Sequence, residues 1–577
     1  MKSILGLFSK IAKGDILKLI NIYNWLKSNR GKIIATFACF TILGATCFYS
    51  IIYDRKWYEA FVFSLQLFAL DTKIPDDFGI ENKVSDYWRW IYFFSITGFF
   101  TAFFTVIVLF FDKTIYQSWI REVKKNKFIL VCGLGKNNRI YIDSELETND
   151  TSILVIENNK DNLHIDSYKA KGIGIILGDA NDESLFADIK LGNIKHIVIS
   201  VGNDMRNLEI ATQILQKSKE VKLYIHLENR NLRYFHKENG LLQGSNIKLY
   251  SYYEDSSREL FKNYDIDGKG YEILNSKDNY SIVVVGNTNL AYEVIFQACI
   301  MGQLPNENLL TIYCLDKYPN KFKRKVELNY TEIHNVPNVE IKYLKFDICS
   351  KKDYEQDFWY ENNLTNIILC YEDEETNLDI TANLADITYL EKIVKKEFKT
   401  NILLAIFNEY NISNSIKSNK DIFENFFTFG LTKNICTKEY LIDEIRDKRA
   451  KATNEVYNES LEENSSKKQS WNQRSYFEKE SNRTSADHIK IKEKYLEFDN
   501  SDLAKEKLAR CEHNRWNAFH YLHGWKYAEE TNKSIKLHNC LLPYDSLKED
   551  IKYYDREMIK NIDKIKKYEN IINTVKN

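Results

Sequence analysis

The sequence predicts a membrane α-helical part, two spans with a re-entrant pore-like loop between them. Behind it the sequence places cytosolic tandem α/β Rossmann-like domains and a small, mostly helical C-terminal domain. Three observations carry this expectation. Two uncharged apolar runs of about 20 residues, the length that crosses a bilayer, lie near the start of the chain. Two later stretches alternate buried-type strands with helices, and each opens on a strand followed at once by glycine. A final segment crowds aromatic and cationic residues into one amphipathic helix and the turn behind it.

Composition sets the frame. A chain of 577 residues suits three or four folding units. With 80 Lys and Arg against 81 Asp and Glu, no bulk electrostatic case exists for nucleic-acid binding. The ten cysteines are scattered with no CxxC pair, so neither a disulfide framework nor a zinc ribbon is expected. Cys132, Cys314 and Cys370 fall in apolar strand-like runs, where a reduced thiol acts as a small core residue.

Within a cytosolic N-terminal segment, 1–32, residues 4–26 alternate apolar and basic positions at helical spacing, the pattern of an amphipathic helix lying in the inner interface. The pore-like part covers 33–112, with spans at Ile33 to Tyr53 and Ile91 to Phe111. Basic flanks, among them Arg30 and Lys32 before the first run and Lys124, Lys125 and Lys127 after the second, place both termini in the cytosol. Between the runs, Trp57 to Leu70 is apolar but too short to span, which fits a re-entrant or interfacial segment. Glu59, Gln66 and Asp71 are the expected pore residues. The alternative is an outward-facing interfacial helix with solvated acids. No TVGYG-like stretch is present, so the sequence points to a pore without defining its selectivity.

The first cytosolic domain is expected over 127–264. The strand Phe128 to Cys132 runs into Gly133-Leu134-Gly135. There the glycines permit a tight turn, and the next helix N-terminus offers free N–H groups to a phosphate. Asn138 occupies the place of a third glycine. A second strand ends in Glu157, roughly twenty residues on, where an acid binds ribose hydroxyls. A third strand leads to Gly178-Asp179-Ala180, and a fourth precedes Asp204-Met205-Arg206-Asn207. The GLG turn, the strand-end acid, LGDA and DxxN in this order resemble the TrkA-N fold, the regulator-of-potassium-conductance (RCK) domains. That resemblance implies a pocket for NAD(H), ATP or a related nucleotide, held as a regulatory ligand. Gly133, Gly135, Asn138, Glu157, Asp179, Ala180 and Asp204 would line it.

A second copy of the pattern is expected over 279–440. Tyr280 to Val285 ends at a single glycine, Gly286; Leu310 to Leu315 ends in Asp316; and Asn366 to Tyr371 leads into an acidic run that echoes DMRN. One glycine in place of two makes a weaker phosphate cradle, so this copy reads as structural.

Residues 451–500 are polar and read as a flexible linker. The segment 501–577 carries EHNRW, a Gly524-Trp525 turn, LLPYDSL and YYDREMI. From Ala504 to about Ile571 it resembles the ryanodine-receptor (RyR) repeat domain. His513, Arg515, Trp516, Trp525, Tyr527, Lys536, His538, Tyr544 and Arg556 combine aromatic faces with cations, which suit a nucleotide base and phosphate. A metal site at Cys511, His513, His538 and Cys540 has no trusted ligand spacing, and no metal is expected.

These readings, with the two resemblances, imply a nucleotide-gated cation channel of the bacterial inner membrane. It would be a multi-pass protein and a homo-tetramer, with membrane and small-molecule nucleotide as partners and no nucleic acid. Domains so combined resemble effectors of nucleotide-signalled antiphage defence. A housekeeping potassium channel or transport regulatory subunit is the alternative. A membrane-anchored NAD-dependent oxidoreductase is disfavoured, because no catalytic acid, base or substrate domain accompanies the first Rossmann pattern; no enzymatic activity is expected.

Overall fold

The computed structural model describes residues 36–574, except 70–87, 149–150, 188, 241, 245, 269, 356–358, 360–362, 396–399, 409–424, 462–464 and 466. The segment 1–32 and Asp71 therefore lie outside the described residues. Two compact units are formed, Met1–Leu134 with Asp150–Ile197, and Gly135–Asn149 with Val198–Asn577.

The first unit begins with three helices, α1 (residues 36–52), α2 (Trp57–Gln66) and α3 (Trp88–Lys125). They share a small core of Ala45, Tyr49, Tyr53, Ala60, Leu67, Ile91 and Phe94. The expected membrane part is corrected here. Among the described residues no helix is long and apolar enough to cross a membrane. In α3 the apolar stretch continues without a break into Asp112, Lys113 and a basic last turn at Lys124 and Lys125.

After α3 come strands β1 (Phe128–Cys132), β2 (Ser152–Glu157) and β3 (Gly174–Leu177). They pair in parallel, with Ile129 opposite Ile153 and Val155 opposite Ile175. β1 is buried along its whole length, as expected of a parallel strand covered on both faces. With β4 (Ile194–Ile199), β5 (Leu223–His226) and β6 (Ile247–Tyr250) the sheet has the order β3-β2-β1-β4-β5-β6.

The second unit holds helices α4 (Lys136–Thr148), α5 (Asp204–Lys217) and α6 (Arg230–Asn239), and a whole second sheet. Its strands are β7 (Tyr280–Val285), β8 (Leu310–Asp316), β9 (Val339–Lys345), β10 (Leu364–Leu369), β11 (Asn401–Ala405) and β12 (Phe426–Phe429). The order β12-β11-β10-β7-β8-β9 places its first strand between its second and its fourth, as in the first sheet. Two parallel-sheet, Rossmann-like domains are thus present. Helix α7 (Asn289–Met301) follows β7 and is buried on nearly every side, and α8 (Glu374–Lys395) follows β10.

The stretch expected to be a linker is helical instead. It contains α9 (Lys448–Ser460) and α10 (Tyr476–Phe498), the latter opened by a capping box between Ser475 and Glu478. Its polarity misled because α10 buries charge, with Glu480, Arg483, His488 and Lys492 all inside. Helix α11 (Asp502–Leu522), the short strands β13 (Lys526–Tyr527) and β14 (Leu537–His538), and helices α12 (Glu549–Lys560) and α13 (Ile562–Thr574) complete the chain. Val294 of α7, Ile489 of α10, Phe519 of α11 and Ile565 of α13 belong to one hydrophobic core.

Candidate functional site

In the first unit the expected ligand residues gather where β1, β2 and β3 end, the end at which parallel α/β sheets bind ligands. Gly133 has φ of +93°, a conformation glycine adopts without steric cost, and its N–H donates to Ile156 O at 2.8 Å. The carboxylate of Glu157 secures the turn. Oε2 accepts from the Leu134 N–H at 2.6 Å and Oε1 from the Asn159 N–H at 2.7 Å. Each oxygen keeps a second lone pair, so ribose hydroxyls can still donate to it. Gly178 donates its N–H to Glu157 O at 3.0 Å. Asp179 Oδ1 accepts from the Asn181 N–H at 3.0 Å, and Ala180 is buried beside it.

In the second unit the expected residues divide. Among the described residues a Cβ added at Gly135 would meet no atom within 4 Å beyond its chain neighbours, so the space beside this turn residue is open. Asn138, in place of a third glycine, is buried and its Nδ2 donates to Ser200 O at 3.1 Å. Asp204 is a clamp: Oδ1 accepts from the Glu228 N–H at 3.0 Å and Oδ2 from the Asn229 N–H at 2.9 Å. Asn207 completes it, accepting from the Val201 N–H at 2.8 Å and donating to His226 O at 2.9 Å. The second sheet repeats the device. Glu374 Oε1 accepts from the N–H groups of Phe407 and Asn408 at 2.6 and 2.8 Å. Asn377 accepts from the Tyr371 N–H at 3.1 Å and donates to Ala405 O at 3.0 Å. The acid-x-x-Asn motif therefore ties neighbouring strand ends together. At the second glycine turn, Gly286 has φ of +105° and a Cβ there would sit 3.4 Å from the Tyr371 ring. That turn is closed off by an aromatic side chain.

The nine residues singled out near the C-terminus also divide. Arg515 is fully buried and engaged, its Nε and Nη2 donating to Glu512 at 3.0 and 2.9 Å and its Nη1 to Thr484 Oγ1 at 2.9 Å. Arg556 grips Glu506 through two bonds of 2.7 and 2.8 Å, and the Tyr544 hydroxyl donates to the same carboxylate at 3.0 Å. His513 lies 2.9 Å from Leu542 O and 3.3 Å from Asp555. Lys536 donates to His523 O at 2.9 Å. Tyr527 is exposed on β13, in register with His538.

What converges is a ring cluster. The Trp516 centroid lies 3.8 Å from His520 and 4.9 Å from His538, and Trp525 lies 5.3 Å from His520 and stacks on Phe477 at 5.3 Å. His520, His523 and Phe477 were not among the residues the sequence singled out. The signal for His520 was its position four residues after Trp516, one helical turn on the same face; Phe477 lies in the presumed linker and had none. His523 Nε2 is 2.6 Å from the Tyr234 hydroxyl on α6. Burial holds both His520 and His523 well below the ordinary histidine value.

Of the expected pore residues, Asp71 lies outside the described residues. Glu59 is paired with Arg55 at 3.7 Å, and Gln66 is the exposed last residue of α2. Among the described residues no group of three His, Cys, Asp or Glu is placed to hold a metal ion.

Residues 129–240 match the family model of the TrkA-N domain, and residues 486–568 that of the RyR domain. Among solved structures the chain is similar to one described as the crystal structure of GsuK bound to ADP. The identity is 12%, over 74% of this chain and 99% of that one, with a TM-score of 0.38. A second, described as the GsuK channel, is 10% identical over 74% of this chain and 84% of its own, with a TM-score of 0.37. No curated protein matches the chain.

Proposed function

We propose that the chain is a nucleotide-responsive regulator of a cation conductance, with potassium the ion that the RCK resemblance implies. The first Rossmann-like domain would take NAD(H), ATP or a related nucleotide as a regulatory ligand. One observation carries this reading. The segment that matches the TrkA-N family opens on a Gly133-Leu134-Gly135 turn whose second glycine faces open space. A phosphate needs such room to approach backbone N–H groups. Glu157, at the end of β2 with lone pairs to spare, suits the ribose. Regulation would work by population shift, the nucleotide favouring whichever state binds it better and by no more than that difference. Assembly as a homo-tetramer would give a ring of such domains a common output.

The test is calorimetric titration of the purified chain with NAD+, NADH, ATP and ADP-ribose. At least one should bind, and Gly135→Asp should weaken it tenfold or more while leaving the unliganded melting temperature unchanged. Equal binding by the variant would sink the proposal.

The match of 486–568 to the RyR family favours a second reading, a response to signalling nucleotides in antiphage defence. Bacteria expressing the chain with a cognate nucleotide source should show reduced phage plating. Unchanged plating across a phage panel would remove that role.

A further inference from the structure

A cavity of about 360 Å3 lies in the second unit, lined by none of the residues expected at either ligand site. Its wall comes from α6, from β6 and the loop before it, from residues 440–446, and from the turn leading into α10. Six cations line it, Lys237, Lys248, Arg446, Arg474, Lys479 and Arg483, against two acids, Glu238 and Glu444.

Four of the cations have ion-pair or hydrogen-bond partners of their own. Lys248 pairs with Glu444 at 2.6 Å, and Arg446 with Asp255. Arg483 is held by Asp447 at 2.6 Å and by Glu480. Arg474 donates to Asn454 at 2.7 Å and stands 3.8 Å from Glu478. The two lysines differ. Lys237 donates to the backbone carbonyls of Gly244 and Ile247. Neither it nor Lys479 has a carboxylate within ion-pair distance among the described residues. Both are half-buried, and a charge drawn out of water is costly unless paired. Burial lowers Lys237 to about 7, with repulsion from Lys479, Arg483 and Lys248 adding to the effect and Glu238 opposing it. Lys479 is lowered as well, by burial first and by Arg483.

The same wall is aromatic. The Trp471 ring has the Lys479 ammonium 5.9 Å and the Arg483 guanidinium 5.8 Å from its centroid, and Tyr250 and Tyr476 also line the space. Cations beside aromatic faces suit a phosphate joined to a planar base. The volume is at the lower end of the roughly 300–1,000 Å3 usual for small-molecule sites, a fit for a mononucleotide.

We propose that this cavity is a second nucleotide site, in which Lys237 and Lys479 bind the phosphates of a mononucleotide and the Trp471 side of the cavity receives its base. Its occupant would bear on the ring cluster. Lys237 shares α6 with Tyr234, which reaches His523, and Glu238 beside it accepts from the Phe477 N–H at 3.1 Å.

The experiment is photolabelling of the full-length chain with 8-azido-ADP, followed by peptide mapping, in wild type, Gly135→Asp and Lys479→Glu. Label on peptides spanning 237–250 or 471–483 is expected. It should persist in Gly135→Asp, which removes only the Rossmann site, and fall at least tenfold in Lys479→Glu. If Lys479→Glu fails to fold, Lys479→Met removes the charge alone and should show a loss of the same order. Absence of label from both regions, its disappearance in Gly135→Asp, or unchanged labelling of a folded Lys479 variant would overturn the proposal.

Discussion

A side chain at position 135 has room, and one at position 204 has work to do. Because a Cβ at 135 meets no atom within 4 Å, Gly135→Asp should fold with stability within about 0.5 kcal/mol of wild type, and its effect should appear in nucleotide affinity. Asp204→Ala reverses the pattern. It strips two backbone N–H groups, those of Glu228 and Asn229, of their acceptor. That should cost about 1–3 kcal/mol, read by denaturant unfolding. Glu374→Ala in the second sheet should behave alike, since it serves Phe407 and Asn408 in the same way. Both acids were visible in the sequence, but their role was not. An acid just past a strand end has the same spacing whether it meets a ligand or a neighbouring turn. Recurrence of the acid-x-x-Asn motif in a copy with a weaker phosphate cradle was the available hint of a structural part.

Helix α10 shows how an element escapes a reading based on hydropathy. It buries Glu480, Arg483, His488 and Lys492 beside Ile489 and Ile491, and a helix that takes so much charge inside looks like a solvated linker until its partners are known. Lys492 and Arg515 both rely on Glu512. Burial alone would raise that carboxyl, but the two cations outweigh burial and hold it well below the ordinary range. Glu512→Gln leaves two buried cations short of a counter-charge and should destabilise the second unit by about 3–5 kcal/mol. The same helix confers acid sensitivity. Burial holds His488 at about 3, with its Nε2 2.8 Å from Gln303 O. Its folded value lies below the unfolded value of about 6.5, so the unfolded chain takes up the proton first. This contribution to stability is complete above about pH 6.5 and is lost as pH falls toward 3. His520 and His523 are shifted the same way. The melting temperature should therefore fall between pH 7 and pH 5, and less steeply in His488→Gln. A flat profile in the wild type would contradict this account.

At the scale of the whole molecule, the two sheets share one strand order, and this duplication was legible because parallel strands covered on both faces leave unbroken apolar runs. The apolar runs near the start of the chain could not be assigned with the same security. Length and lack of charge describe a spanning helix and a packed apolar helix equally well, and no described helix meets the requirements for a span. Sequence and structure meet most closely at the Gly133-Leu134-Gly135 turn after β1, where the proposed nucleotide would bind. A ligand that binds only the folded state stabilises it by about 2.7 kcal/mol at a hundred times its Kd. The decisive measurement is thus calorimetric titration of wild type and Gly135→Asp with NAD+, NADH, ATP and ADP-ribose, backed by melting curves at saturation. The account predicts saturable binding and a raised melting temperature in the wild type, with affinity reduced at least tenfold in the variant. Binding that Gly135→Asp leaves untouched, or no binding by any of the four, would contradict it.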